Sequence, residues 1–277
     1  MQMICIIWRA ACSGRDDLVR KGPQRRTEKI GRVLPAVISA AVICIFLLLL
    51  CVIRGVLSPG AGPLIEAGHL EKGDQVTFGH FEQDADTGNG PESICWIVLD
   101  VRDDTALLLS RDVLMAMPFH ERRDHITWED CTLRKWLNED FAREAFTEEE
   151  GALILTSQLD NPPNPRYETH GCGSTRDRIF LLSLNEASAY LRTAQDRYTI
   201  GSAEASRYAS VLHLETEGED SEYAGRANWW LRTAGAEQYS AAFGDRDGSI
   251  YEAGADVSHE TFCGIRPAVR VKIPEGR

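Results

Sequence analysis

The sequence predicts an α+β domain, mainly antiparallel sheet with two helices, carried behind one N-terminal transmembrane helix. Three observations lead there. A run of 21 uncharged and mostly apolar residues, 33–53, interrupts an otherwise ordinary composition of 43% hydrophobic and 26% charged residues. Strand-like segments follow it, then two helix-like segments, then strands again, with no alternating βαβ units. Charge is also split along the chain. Residues 1–32 carry eight Lys and Arg against three Asp and Glu, whereas residues 55–277 carry 21 against 39.

The apolar run comes first. About 20 such residues cross a hydrocarbon core of about 30 Å, and a buried core helix rarely runs so long without a polar face. Pro35 falls in the first turn, where its missing N–H would have no partner anyway. The run exceeds the apolar stretch of a secretory signal and ends in Leu50, Cys51, Val52 and Ile53 rather than in small residues, so it reads as an uncleaved anchor. Excess Lys and Arg mark the cytoplasmic flank. This puts the basic arm 1–32 inside and the acidic remainder outside. Residues 54–68 contain the Pro- and Gly-rich stretch 57–63 and read as a linker.

The globular part, 69–273, is read element by element. Residues 75–78, 94–101 and 105–110 are rich in β-branched, aromatic and other apolar residues, and Asp103-Asp104 makes the last two a hairpin. Leu133, Trp136, Leu137 and Phe141 recur at helical spacing and predict one buried face. Thr147 to Glu150 and Ser183 to Glu186 have capping-box spacing, the second opening a helix with Ala187, Tyr190 and Leu191 inward. Strands are expected again over 227–232, 239–243, 249–252 and 265–273. Asp245-Arg246-Asp247-Gly248 supplies turn chemistry between two of them.

Chemistry-bearing patterns are sparse. Cys95, Cys131, Cys172 and Cys263 lie in the outer domain and allow two disulfides in three connectivities, or four free thiols. His170, Cys172, His259 and Cys263 lack paired zinc-ligand spacing. The acidic run Glu215, Glu217, Glu219, Asp220 and Glu222 reads as a solvated loop rather than a calcium site. No nucleophile elbow, zinc-protease motif or phosphate-binding loop occurs in a suitable context. A net charge of −12 also counts against a partner gripped through nucleic-acid phosphates. The clearest surface argument comes from the strand around Trp229 and Trp230. Strand alternation puts Asn228, Trp230 and Arg232 on one face, a trio suited to stacking and hydrogen bonding a sugar or peptide. The alternative is a second buried layer in which Arg232 pairs an internal carboxylate.

Six segments occur here in the order seen in one family. They are VTFGHFEQD (76–84), WIVLDV (96–101), TWEDCTLRKWLNEDF (127–141), TRDRIFLLSLNEASAY (175–190), WWLR (229–232) and GIRPAV (264–269). The chain resembles a bacterial, extracytoplasmic family known as a domain of unknown function, the six-two-seven-three type. That family has no established activity to carry over. WWLR and GIRPAV also resemble the closing strands of C-type-lectin-like domains, including formylglycine-generating enzymes. The latter likeness implies a copper centre of two nearby cysteines, and Cys263 has no close cysteine partner in sequence.

The sequence therefore reads as a single-pass protein whose outer domain, C-type-lectin-like in fold, binds a glycan or peptide at the cell surface through Asn228, Trp230 and Arg232. It singles out no catalytic residue, metal ligand or cofactor. An envelope enzyme of the formylglycine-generating type is the rival, and a purely structural assembly partner the third. Topology is directly testable. Protease added to intact cells should digest the chain after Arg54 and spare residues 1–32. A soluble mature fragment released by unlysed cells would show instead that the anchor is cleaved.

Overall fold

A computed structural model of the protein describes residues 62–64, 69–83, 88–197 and 226–274. The expected span 33–53, the basic arm and the acidic run 215–222 lie outside the described residues. Among the described residues no helix is long and apolar enough to cross a membrane.

The described chain opens with β1 (Gly62–Pro63), β2 (Gln75–Phe81), β3 (Glu92–Arg102) and β4 (Thr105–Ser110). After a 3-10 turn at Trp128–Asp130 come α1 (Thr132–Trp136), a π turn (Leu137–Phe141), α2 (Ala142–Glu144) and α3 (Glu148–Leu153). Next are β5 (Ile154–Leu155), β6 (Ser157–Asn161), β7 (Cys172–Asp177), β8 (Ile179–Phe180), α4 (Leu184–Tyr190) and α5 (Ala194–Arg197). The closing elements are β9 (Asn228–Ala234), β10 (Ser240–Gly244), β11 (Ile250–Asp256), β12 (Cys263–Gly264) and β13 (Ala268–Lys272).

These strands form three sheets. The largest runs β1-β2-β3-β4-β13-β5, with β8 also paired to β13. A four-stranded sheet runs β11-β10-β9-β12, and β6 pairs with β7. Pairing is antiparallel except at β1 with β2 and β12 with β9, so the domain is α+β with a mixed, mainly antiparallel sheet. The stretch expected as linker contributes β1, and Leu64 just after it is fully buried. A single parallel pairing to β2 suffices to fix it.

Local chemistry explains the joins. Arg102 opposes Thr105 across the two-residue turn Asp103-Asp104, and Asp103 takes φ of 51°, a region that aspartate tolerates better than most residues. Both capping boxes form: Thr147 with Glu150 opens α3, and Ser183 with Glu186 opens α4. Gly248 adopts φ of 80° and returns its N–H to the Asp245 carbonyl at 2.9 Å, closing the β10–β11 turn.

One expected helix differs. The stripe Leu133, Trp136, Leu137 and Phe141 crosses from α1 into the π turn, whose wider winding favours spacing by four. Leu133, Leu137 and Phe141 are fully buried, while Trp136 sits half-buried at the stripe's edge, edge-on to Phe81 at 6.2 Å between centroids. In α4, Ala187 is buried and Leu191, its C-cap, is buried too, while Tyr190 is half-buried. Leu137→Ala should therefore destabilise the domain by about 2–5 kcal/mol. Trp136→Ala should cost clearly less, and urea midpoints that reverse this order would refute the assigned face.

Candidate functional site

The strand expected to present a ligand surface is buried on both sides. Trp229 lies over Gly244, where an added Cβ would come within 2.4 Å of the indole. The Arg266 guanidinium lies 5.0 Å from the Trp229 ring centroid. Trp230 meets Phe119 edge-on at 6.0 Å and donates its indole N–H to the Met117 carbonyl at 2.8 Å. Asn228 accepts from the Arg246 N–H at 3.1 Å. Alternation does put the two tryptophans on opposite faces, but the domain packs a layer against each.

Arg232 is the most heavily bonded side chain of the strand. Its Nε donates to Asn161 Oδ1 at 3.0 Å, Nη1 to the Leu181 carbonyl at 2.8 Å, and Nη2 to the Asp160 carbonyl at 3.2 Å. Both Nη atoms also engage the Glu186 carboxylate. Burial raises the cost of charge on Glu186, yet the Arg232 bonds and charge and the Ser183 N–H outweigh it and hold its pKa below the ordinary range. The recess beside Arg232, walled by Trp128, His170 and Cys172, has a volume of about 10 Å³, too small for a ligand.

An open groove of about 420 Å³ lies one layer away, where residues 129–139 meet Arg176 and Asp177. Its floor is built from charge. Asp177, 2% exposed, accepts from the Trp128 indole at 3.0 Å, the Thr175 hydroxyl at 2.8 Å and Arg134 Nε at 2.7 Å. Arg134 also donates to the Glu129 carbonyl at 2.8 Å. Asn138, in the π turn, bonds as a strand edge would. Its amide donates to the Ile179 carbonyl at 2.8 Å, and its oxygen accepts from the N–H groups of Arg178 and Ile179. The helix is thereby stitched to β8.

The rim is different. Lys135 and Arg176 are exposed and have no ion-pair partner among the described residues. Glu129, Asp130 and Glu139 stand exposed on the same groove, so both signs of charge face it. Cys131 is the nucleophilic atom type nearest at hand, but it is spent on structure. Its sulfur accepts from the Arg134 N–H at 3.4 Å and donates to the Trp128 carbonyl at 3.3 Å. Burial pushes its thiol up to about 12, far from the thiolate that reactivity requires. Among the described residues, Cys95, Cys131, Cys172 and Cys263 form no disulfide. Sequence reasoning passed over this groove, although its two walls are the segments TWEDCTLRKWLN and TRD.

Fold and groove together define an α+β domain that presents a polar, mixed-charge cleft on a rigid floor. Residues 103–273 match the family model described as Domain of unknown function (DUF6273), and the chain belongs to that family. No curated protein and no solved structure matches the chain.

The buried ion pair generates a test. Glu186→Gln leaves Arg232 without its counter-charge and should destabilise the domain by about 3–5 kcal/mol. The folded pKa of Glu186 is lowered, so its stabilisation is complete above the unfolded value of about 4.3 and is lost as pH falls through the lower folded value. Stability of the parent should fall across that acidic window, and Glu186→Gln should remove this part of the slope. An unchanged slope would dissociate Glu186 from acid denaturation.

Proposed function

We propose that the chain is a membrane-anchored binding domain of the bacterial envelope, facing outward, whose groove takes a cell-surface glycan or peptide. The observation that carries this reading is the groove at Arg134, Lys135 and Arg176, open and polar on a floor with every buried charge engaged. Charges of both signs on the rim suit a ligand bearing both, as a peptide or an amino-sugar polymer does. Arg232 acts in this reading from beneath, as a positioning residue, through Asn161, Thr175 and Asp177. The resemblance of WWLR and GIRPAV to the closing strands of C-type-lectin-like domains supports a binding domain.

The enzymatic alternative of formylglycine-generating type implies copper held by two thiolates. Cys131 is unsuited to such a centre, because burial holds its thiol protonated. No step is derived through such a centre.

The test is a calorimetric screen of the full chain in detergent against glycans and peptidoglycan fragments. Arg176→Ala should weaken the binding found by about tenfold or more, since hydrogen bonds to charged groups contribute about 1.5–3 kcal/mol. Its melting point should stay near the parent's, because substitutions of exposed residues usually fall within about 0.5 kcal/mol. Binding that survives both Arg176→Ala and Lys135→Ala would move the site away from this groove.

A further inference from the structure

The groove at Arg134, Lys135 and Arg176 also has a backbone wall. β7 pairs with β6 alone, so the two-stranded ribbon leaves one edge of β7 without a strand. The π turn flanks that edge. Its Asn138 bonds the backbone of Arg178 and Ile179 just past β7 and so closes the far end. Nothing does the same for Ser174, Thr175, Arg176 and Asp177. Among the described residues, no backbone N–H or carbonyl of these four bonds outside the β6–β7 pair. Residues of an antiparallel pair turn their backbone groups to one edge and the other by turns. Every second residue therefore presents an N–H and a carbonyl to the open edge, where Arg176 and Asp177 line the groove.

The side chains are sorted as well. Thr175 and Asp177 are buried in the floor, while Ser174 and Arg176 are exposed. Lys135 and Arg176 on the rim have no ion-pair partner among the described residues, and neither have Glu129, Asp130 and Glu139. A strand laid along this edge would alternate its own side chains, turning every second one to the rim. Charges of both signs at alternate positions complement a rim that offers both. A sugar chain can meet those charges, but it has no main-chain amides at strand spacing to pair with the edge.

We propose that the groove binds an extended peptide, with acidic and basic side chains at alternate positions, as a third strand on the open edge of β7. The acidic side chains meet Lys135 and Arg176, and the basic ones meet Glu129, Asp130 and Glu139. Main-chain bonds supply the affinity in this mode and side chains the specificity. The proposal rests on reading this groove as the binding site, and it selects peptide over glycan as the occupant.

The test uses the full chain in detergent and two probes. One is the heptapeptide Lys-Thr-Glu-Thr-Lys-Thr-Glu, acetylated and amidated, offered also in reversed order. The other is an oligosaccharide alternating glucosamine with glucuronic acid, which carries both charges without a peptide backbone. Amide hydrogen exchange, read residue by residue, should be fast at the outward amides within 174–177 and slow when the heptapeptide is added. Two further heptapeptides are N-methylated at odd or at even residues, so that each loses its donors along one edge and keeps every charge. One should bind at least about tenfold more weakly than the other, each lost hydrogen bond being worth about two- to twelvefold. Equal binding of the two, or unchanged exchange at 174–177, would overturn strand addition. Oligosaccharide binding that is lost in Arg176→Ala, without heptapeptide binding, would overturn the peptide and keep the groove. Binding of neither probe would overturn the groove reading and the proposal with it.

Discussion

Arg232 carries a full charge into the interior, and three sheets depend on where its guanidinium is held. It projects from β9 of the four-stranded sheet and donates to Asp160 and Asn161 of the β6–β7 ribbon. Leu181, the residue after β8 of the largest sheet, gives its carbonyl, and Glu186 of α4 gives the balancing carboxylate. A guanidinium suits such a junction because its planar fork serves several acceptors at once, where an ammonium would act as one point charge. Glu186 is itself fixed by the capping box it forms with Ser183. The helix cap and the core ion pair are thus the same carboxylate, and each removes freedom that the other would have to restrain.

The bonding continues from there to the surface groove. Asn161 takes the Arg232 Nε on its oxygen and donates from its amide to the Thr175 hydroxyl at 3.1 Å. Thr175 donates to Asp177, whose other oxygen holds Arg134. Four links therefore connect the buried junction to the floor of the candidate site. Buried polar chains of this kind polarise one another and are costly when half satisfied, so a fully satisfied one stiffens what it touches. A stiff floor matters for binding, because a pre-organised site loses less conformational freedom when it closes on a ligand.

Much of the fold was legible because it is written in local chemistry. The two capping boxes, the Asp103-Asp104 hairpin and the Gly248 turn each follow from residues within a few positions of one another. What misled was depth. The alternation of Trp229 and Trp230 is visible in sequence, but the presence of a packed layer on each face is a tertiary fact. Trp136 shows the same limit on a helix, since one π turn shifts a residue from the centre of a stripe to its edge. The groove was missed for a related reason. Arg134 and Asp177 are 43 residues apart, and only the fold joins them. Their occurrence in two family-like segments is the available signal, but segments so far apart in sequence do not by themselves point to one site.

The two buried arginines show how the family-like residues divide between scaffold and site. Arg266, in GIRPAV, is fully buried without a carboxylate in contact. Its Nε reaches the Ser110 carbonyl at 2.9 Å and its face lies on Trp229, while Nη2 has no hydrogen-bond partner. Burial accordingly lowers its pKa to about 10, an effect only partly offset by the charge of Asp112. Arg232 has the opposite surroundings, with bonds at Nε and at both Nη atoms. Both nonetheless clamp strands in the interior, and neither reaches solvent. The residues that make this chain recognisable, tryptophans and arginines in short strands, thus spend their chemistry on one another. In the proposed reading, recognition of an outside partner is left to side chains that the core does not need. Lys135 and Arg176, standing on helices and strands pinned by Asn138 and Asp177, are of that kind. A change of ligand could then be made at the rim alone, without disturbing the charge network underneath.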